Sequence, residues 1–357
     1  MPDLYYIEGT SHGCGDGVTV RIRWNGARII IYLDPNPYLG AIENLLIEKY
    51  TSACLRGNED EQDAVDDELL DAVIGAGESI LDHLVPPSAE PPSDLHSILL
   101  PPQYSFSLTT VDGTPKLLRE GSYRLELSEI PGKGYKRDLP SLSPQLPSPQ
   151  FPVFNVQLKV KEDLGLPRYL TTGIRVLKKL LGDGYISHVL VDGRDTCAKV
   201  GREFDGGAMQ RELDCLSKIT AYATQQSLKI HVPKLLGLIE MPDNGNIIGI
   251  LEELIPHPKD PELSTLARID DISTISKERR ETWATQVRET VDWLHGNGIV
   301  WGDGKADNVL IHPDTDEPWL IDFGGGNTRG WVDEHLAGTS EGDDQAVRRI
   351  FEFLEVA

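Results

Sequence analysis

The chain has 357 residues, with 34 Lys plus Arg against 57 Asp plus Glu, a formal net charge of −23 and 39% hydrophobic residues. That length leaves room for two domains of about 100 to 200 residues, and the acidity argues against nucleic acid or an anionic membrane surface as partner. No run approaches the roughly 18 apolar residues of a membrane span, and the N-terminus lacks a basic stretch followed by an apolar one, so the expected location is intracellular, cytoplasmic or nuclear.

In chain order, Leu4 to Ile7, Val18 to Trp24 and Ala27 to Leu33 read as strands, the last two joined by Asn25-Gly26, a pair suited to a type I′ turn. Two helices follow. Ala41 to Leu55 is moderately apolar, and Val65, Leu69, Leu70, Val73, Ile74, Ile80, Leu81 and Leu84 make one helical stripe. Acidic residues from Glu59 to Asp67 open that second helix, where carboxylates favour the positive end of the dipole. Pro-rich stretches run from Val85 to Pro102 and from Pro131 to Pro152, and the second is the predicted boundary between a domain over 1–150 and another over 165–357. Cys14, Cys54, Cys197 and Cys215 are too far apart for a Cys-x-x-Cys pair, so reduced thiols are expected.

Beyond the linker, Arg175 to Leu181, His188 to Val191 and Asp195 to Val200 read as strands around Gly182-Asp183-Gly184 and Asp192-Gly193. A helix is predicted over Ala208 to Thr220, then a hairpin of Lys234 to Glu240 and Asn246 to Ile255 turning at Asn244-Gly245. The next helix starts at the N-cap Ser276 and carries Trp283, Val287, Val291 and Leu294 at helical spacing, stopping at Gly296-Asn297-Gly298.

The chemistry is concentrated after that helix, in Ile299-Val300-Trp301-Gly302-Asp303-Gly304-Lys305-Ala306-Asp307-Asn308-Val309-Leu310-Ile311 and then Trp319-Leu320-Ile321-Asp322-Phe323-Gly324. This resembles the protein-kinase superfamily, whose catalytic loop has Asp-x-Lys-x-x-Asn and whose next strand ends in Asp-Phe-Gly. The resemblance implies an α+β, bilobal protein kinase-like fold. A five-stranded antiparallel small lobe with one helix would precede a short, mainly helical lobe, and a small α+β domain of unassigned role would stand before both. ATP and Mg²⁺ are the implied cofactors. In that scheme Asp303 orients the attacking hydroxyl and accepts its proton, Lys305 balances charge at the transferring phosphoryl, and Asn308 and Asp322 hold Mg²⁺.

Upstream, Leu181-Gly182-Asp183-Gly184-Tyr185-Ile186-Ser187-His188-Val189 is similar to the family's glycine loop, with Ser187 in place of the third glycine. Gly182 and Gly184 would let backbone N–H groups approach phosphate oxygens. Lys199, ending Cys197-Ala198-Lys199, is the candidate for the α and β phosphates, and Glu212 on the following helix is its candidate partner, with Glu203 closer in sequence. Residues i and i+2 of a strand share a face, so Cys197 and Lys199 should both look into the cleft. The resemblance places Val189 above and Leu310 below the adenine ring. It gives adenine the backbones of Glu252 and Leu254, with Leu251 gating the space behind.

Departures from the family pattern also carry meaning. Gly302 stands where many members carry arginine, which argues against switching by a phosphorylated segment, and Trp301 stands where the motif has histidine. From Gly324 to Ala357 only 33 residues follow, so a shortened second lobe is expected, resembling the compact atypical kinases predicted in filamentous fungi. There Asp343 either bonds the catalytic-loop backbone or simply opens a last amphipathic helix through Val347, Ile350, Phe351 and Leu354. In the resemblance, Lys305 in its Asp-x-Lys-x-x-Asn motif implies Ser or Thr of a protein as acceptor, while the shortened second lobe weakens that reading. The alternatives are a small-molecule kinase of the aminoglycoside or choline type, with a small-molecule hydroxyl as acceptor, and a pseudokinase acting as a nucleotide-binding interaction module.

Overall fold

A computed structural model describes residues 5–12, 16–57, 59–88, 93–119, 154–160, 164–181, 184–202, 207–226, 230–256, 265–326 and 328–356. The protein is a mixed α+β chain with six α-helices and three sheets among the described residues. It divides into two compact units, Met1–Pro92 with Leu100–Val153, and Ser93–Leu99 with Phe154–Ala357. The second Pro-rich run, 131–152, lies outside the described residues, and Ser93–Leu99 groups with the second unit.

In the first unit, strands β1 (Tyr5–His12), β2 (Val18–Trp24) and β3 (Ala27–Leu33) run antiparallel, and Asn25-Gly26 makes the tight turn with both residues at positive φ. Alternate residues Val18, Val20, Ile22, Ile29, Ile31 and Leu33 are buried. Helices α1 (Ile42–Arg56) and α2 (Glu59–Leu84) bring Leu46, Tyr50, Val65, Leu69, Val73 and Leu81 to the same core. Two strands of this sheet were not expected: β4 (Gln103–Val111), parallel to β3, and β5 (Thr114–Arg119), joined to β4 through Asp112-Gly113. Buried Glu43 of α1 takes hydrogen bonds from the amide and hydroxyl of Thr110, at 2.8 and 2.7 Å, and so ties α1 to β4.

In the second unit, a short helix α3 (Leu95–Leu99) precedes a six-stranded sheet. Its strands are β6 (Arg168–Leu170), β7 (Arg175–Leu181), β8 (Ile186–Val191), β9 (Arg194–Val200), β10 (Leu235–Glu240) and β11 (Ile247–Glu253), in the order β6-β10-β11-β9-β8-β7. The expected five-stranded antiparallel sheet is therefore corrected to six strands, because β6 pairs in parallel with β10 at the edge. Three residues with mostly exposed side chains carry no alternation that a sequence reading could detect.

Helix α4 (Ala208–Gln226) runs six residues past the expected Thr220, and Leu213, Leu216 and Ile219 face the core. Helix α5 (Lys277–Gly296) starts at Ser276, whose hydroxyl accepts from the Arg279 amide, and buries Trp283, Val287, Val291 and Leu294. A two-stranded hairpin, β12 (Val309–Ile311) and β13 (Pro318–Leu320), follows, and the last helix, α6 (Ser340–Phe353), is capped by Thr339 and buries Val347 and Ile350. These helices and the hairpin share one apolar core that includes Trp301 and Phe323. No helix of the described residues is long and apolar enough to cross a membrane.

Candidate functional site

The chemistry-bearing residues of the second unit converge on one cavity of about 1030 Å³, lined on one side by β7 to β9 and β11 and on the other by the loop before β12 and the residues after β13. Strand pairing decides which side chains reach it. The two-residue turn Asp192-Gly193, with both residues at positive φ, pairs Val191 with Arg194 and hence Cys197 with His188 and Lys199 with Ile186. Cys197 and Lys199 both line the cavity, as their i, i+2 spacing predicts.

The same pairing corrects one expectation. Val189 pairs with Thr196, lies on the opposite face of β8, and is buried away from the cavity, which takes Ile186 instead. A second correction concerns β11. Glu252 pairs with Cys197 and turns its side chain to the cavity, while Leu251 pairs with Ala198 on the far face, so Glu252 and not Leu251 occupies the inner wall. Leu254 and Leu310 both line the cavity. Gly182 lies outside the described residues, while Gly184 is buried at φ +97 in the turn that leads into β8.

Lys199 is the electrostatic centre of the upper wall. Its Nζ is 2.6 Å from Glu212 Oε1, on α4, and 3.3 Å from Glu252 Oε1, and all three side chains are nearly inaccessible. Burial works against the ammonium, but the carboxylates of Glu212, Glu252 and Asp322 outweigh it and raise the Lys199 pKa well above its ordinary value. Burial raises the Glu252 carboxyl to about 7, opposed by Lys199 and reinforced by Glu212. Burial likewise pushes the Cys197 thiol well up, with the Glu252 charge adding to it.

The lower wall is built by the hairpin β12–β13, whose pairing of Val309 with Leu320 brings the residues at its two open ends, Asn308 and Asp322, to one edge of the cavity. The Ile321 amide also donates to Asn308 O at 3.0 Å. Asp322 is a non-glycine residue at φ +63, a left-handed backbone conformation that the surrounding structure must hold in place. Asn308 Nδ2 donates to the backbone oxygen of Asp303 at 2.8 Å and to its Oδ2 at 2.9 Å. Lys305 Nζ donates to the same Oδ2 at 2.8 Å and to Thr328 Oγ1 at 3.0 Å, and the Thr328 hydroxyl donates to Asp303 Oδ1 at 3.4 Å. Thr328 was not anticipated from the sequence, because it lies 25 residues from Asp303 with no motif around it.

The loop carrying Asp303 is fixed from beneath. Asp343 of α6 accepts from the amides of Trp301 and Gly302, at 2.7 and 2.8 Å, and its Oδ2 lies 2.9 Å from His295 Nε2. Of the two readings of Asp343, the structure therefore shows the bond to the loop backbone. Trp301 is fully buried and its indole N–H donates to Ile321 O at 2.9 Å, linking the loop to the strand end that presents Asp322. Gly304 leaves no room for a side chain, since a Cβ there would lie 2.5 Å from that of Ala346.

Among the described residues no cluster of three or more His, Cys, Asp or Glu could hold a metal ion by itself. Asn308 and Asp322 offer one amide oxygen and one carboxylate, a pair of hard oxygen donors that suits Mg²⁺ only when a ligand supplies further oxygens. No protein-family model and no curated protein sequence matches this chain.

Proposed function

We propose that the second unit is a bilobal protein kinase-like domain that transfers a phosphoryl group from Mg²⁺·ATP to a hydroxyl, with Ser or Thr of a protein as the favoured acceptor class. The observation that carries this reading is the convergence on one cavity of the Lys199–Glu212 pair, the oxygen donors Asn308 and Asp322, and Lys305 bonded to Asp303. A buried, doubly paired lysine beside an acid and an amide is expensive to maintain as structure alone and suits a polyanion held through a cation.

Each residue then has a task within reach of its position. Lys199, oriented by Glu212, presents its ammonium to phosphate oxygens. Asn308 uses both N–H bonds on Asp303, which leaves its amide oxygen, with the Asp322 carboxylate, to hold the metal. Held by Asn308 and Asp322, Mg²⁺ would offset the negative charge of the phosphate oxygens. Asp303, held by Asn308, Lys305 and Thr328, accepts the proton of the acceptor hydroxyl as its oxygen bonds to phosphorus and the bond to the departing ADP breaks. Leu254 and Leu310 line the cavity as apolar walls for the base. The favoured protein acceptor rests on the resemblance, in which the Lys305 position marks kinases acting on Ser or Thr; Lys305 and Thr328 lie beside Asp303, where an acceptor hydroxyl of either class would dock.

The test is phosphoryl transfer from radiolabelled ATP to mixed protein and metabolite acceptors, with Asp303→Asn as control. The proposal expects label transfer by the wild type that falls by about 10²-fold or more in the variant while nucleotide binding persists. Binding without any turnover would favour the nucleotide-binding interaction module, and equal transfer by both proteins would remove Asp303 from its role.

A further inference from the structure

The residues after Asp322 turn back over Asp303. The Gly326 amide donates to Gly302 O at 3.3 Å, and Gly326 lies so close to the Asp303 carboxylate that a Cβ there would be 3.3 Å from its Cγ. Just beyond, Thr328 begins a turn closed by the Trp331 amide, which donates to Thr328 O at 3.1 Å. That course brings the Thr328 side chain to the wall of the same cavity that Lys199, Asn308 and Asp322 line.

The Thr328 hydroxyl has the contacts there that an acceptor hydroxyl needs. It donates to Asp303 Oδ1 at 3.4 Å, a long hydrogen bond of the kind that tightens once a reacting complex has formed. It accepts from Lys305 Nζ at 3.0 Å, and a hydroxyl oxygen has a second lone pair to offer to phosphorus. Lys305 also donates to Asp303 Oδ2 at 2.8 Å, and an ammonium has a third N–H with which to meet a phosphoryl oxygen. An acceptor from outside must displace this hydroxyl to reach Asp303, whereas Thr328 is tethered to the site already.

Resting on the phosphotransferase reading above, we infer that Thr328 is itself an acceptor: the chain phosphorylates this hydroxyl in cis, once, and the phosphate then shuts the site. Thr328 Oγ1 forms a bond to the γ-phosphorus of ATP and the hydroxyl proton passes to the Asp303 carboxylate. The bond from that phosphorus to the β,γ-bridging oxygen breaks, and its electron pair leaves on ADP. The phosphothreonine, with a charge of about −1.5 to −2, repels the Asp303 carboxylate and draws Lys305 to itself. Gly302, immediately before Asp303, has no side chain to hold the phosphate elsewhere. The product therefore stays in the place where the next acceptor would dock.

The test incubates the full chain with Mg²⁺·ATP and mixed protein and metabolite acceptors, follows intact mass and maps the modified peptide, for wild type, Thr328→Ser, Thr328→Val and Asp303→Asn. The inference predicts a single added phosphate on wild type, at Thr328, at a rate unchanged over about a hundredfold dilution of the protein, as a unimolecular step requires. Thr328→Ser keeps the modification at that position, Thr328→Val loses it, and Asp303→Asn slows it by about 10²-fold or more. Transfer to the external acceptors falls by about tenfold or more as Thr328 fills, and recovers when a phosphatase removes the phosphate. Label on external acceptors with Thr328 unmodified would overturn the inference and leave the functional reading standing. A rate that scales with protein concentration, or external transfer undiminished at full modification, overturns it as well. Label on no acceptor and none on the chain defeats the functional reading, and the inference with it.

Discussion

Lys199 and Glu252, facing each other from neighbouring strands β9 and β11, form a buried ion pair at 3.3 Å, although Lys199 already has a closer partner in Glu212 at 2.6 Å. Two carboxylates thus share one ammonium, and its removal leaves them uncompensated in a low-dielectric site. Lys199→Ala should destabilise the second unit by about 3 to 5 kcal/mol, the usual cost of breaking a buried pair from one side. Denaturant unfolding checks this. A loss below about 1 kcal/mol, typical of exposed pairs, would show that the site is wetter than its burial indicates.

Glu252 makes the stability depend on pH with a defined sign. Its folded pKa of about 7 stands above the ordinary value of 4.5, so between those pH values the folded chain holds a proton that the unfolded chain has released. Stability should fall as pH rises through this window, by on the order of 3 kcal/mol from this group. The charges facing it are Lys199 and Glu212, with the Cys197 thiol beside it. Unfolding curves for wild type and Glu252→Gln at intervals from pH 5 to 8 should converge at low pH, with the variant progressively more stable above. Parallel curves would contradict the assignment.

Asp343→Ala should separate support of the loop from chemistry. It leaves the Trp301 and Gly302 amides without their acceptor, at about 1 to 3 kcal/mol for each buried N–H. Because Gly302 immediately precedes Asp303, the proposed function expects kcat to fall more than the affinity for ATP, for which the proposed lysine and metal-holding residues lie elsewhere. A variant with wild-type turnover and stability would show that the loop holds its shape without α6.

The sequence announced the second unit's site more fully than its walls. Contiguous motifs marked Asp303, Lys305, Asn308 and Asp322, and the resemblance offered Glu212, on the helix that turns Leu213 and Leu216 inward, as the partner that Lys199 meets. Face assignments were weaker where they came from motif spacing. The two-residue Asp192-Gly193 turn already fixes Lys199 opposite Ile186, and counting from it would have excluded Val189 from the cavity. Glu252 read as a backbone contact because Leu251-Glu252-Glu253-Leu254 resembles the segment that links the family's lobes, and the side-chain partner that turns it inward lies on another strand.

In the first unit, the hairpin through Asp112-Gly113 was obscured by the prolines on either side, though that pair is itself a turn signal. Ser93–Leu99 carried no signal at all. One turn of helix is too short for periodicity, and the strand edge it pairs with, at Ile174 and Val176, lies about eighty residues away.

The most direct measurement is the unfolding temperature of wild type and Asp322→Asn with ATP plus Mg²⁺ and with ATP plus EDTA. Ligand at about 100 times its Kd stabilises the folded state by roughly 2.7 kcal/mol, which for a unit of this size is a rise of about 5 to 10 °C. The account predicts that rise for wild type with Mg²⁺, and its loss both in EDTA and in Asp322→Asn. An unchanged unfolding temperature at millimolar Mg²⁺·ATP would contradict it.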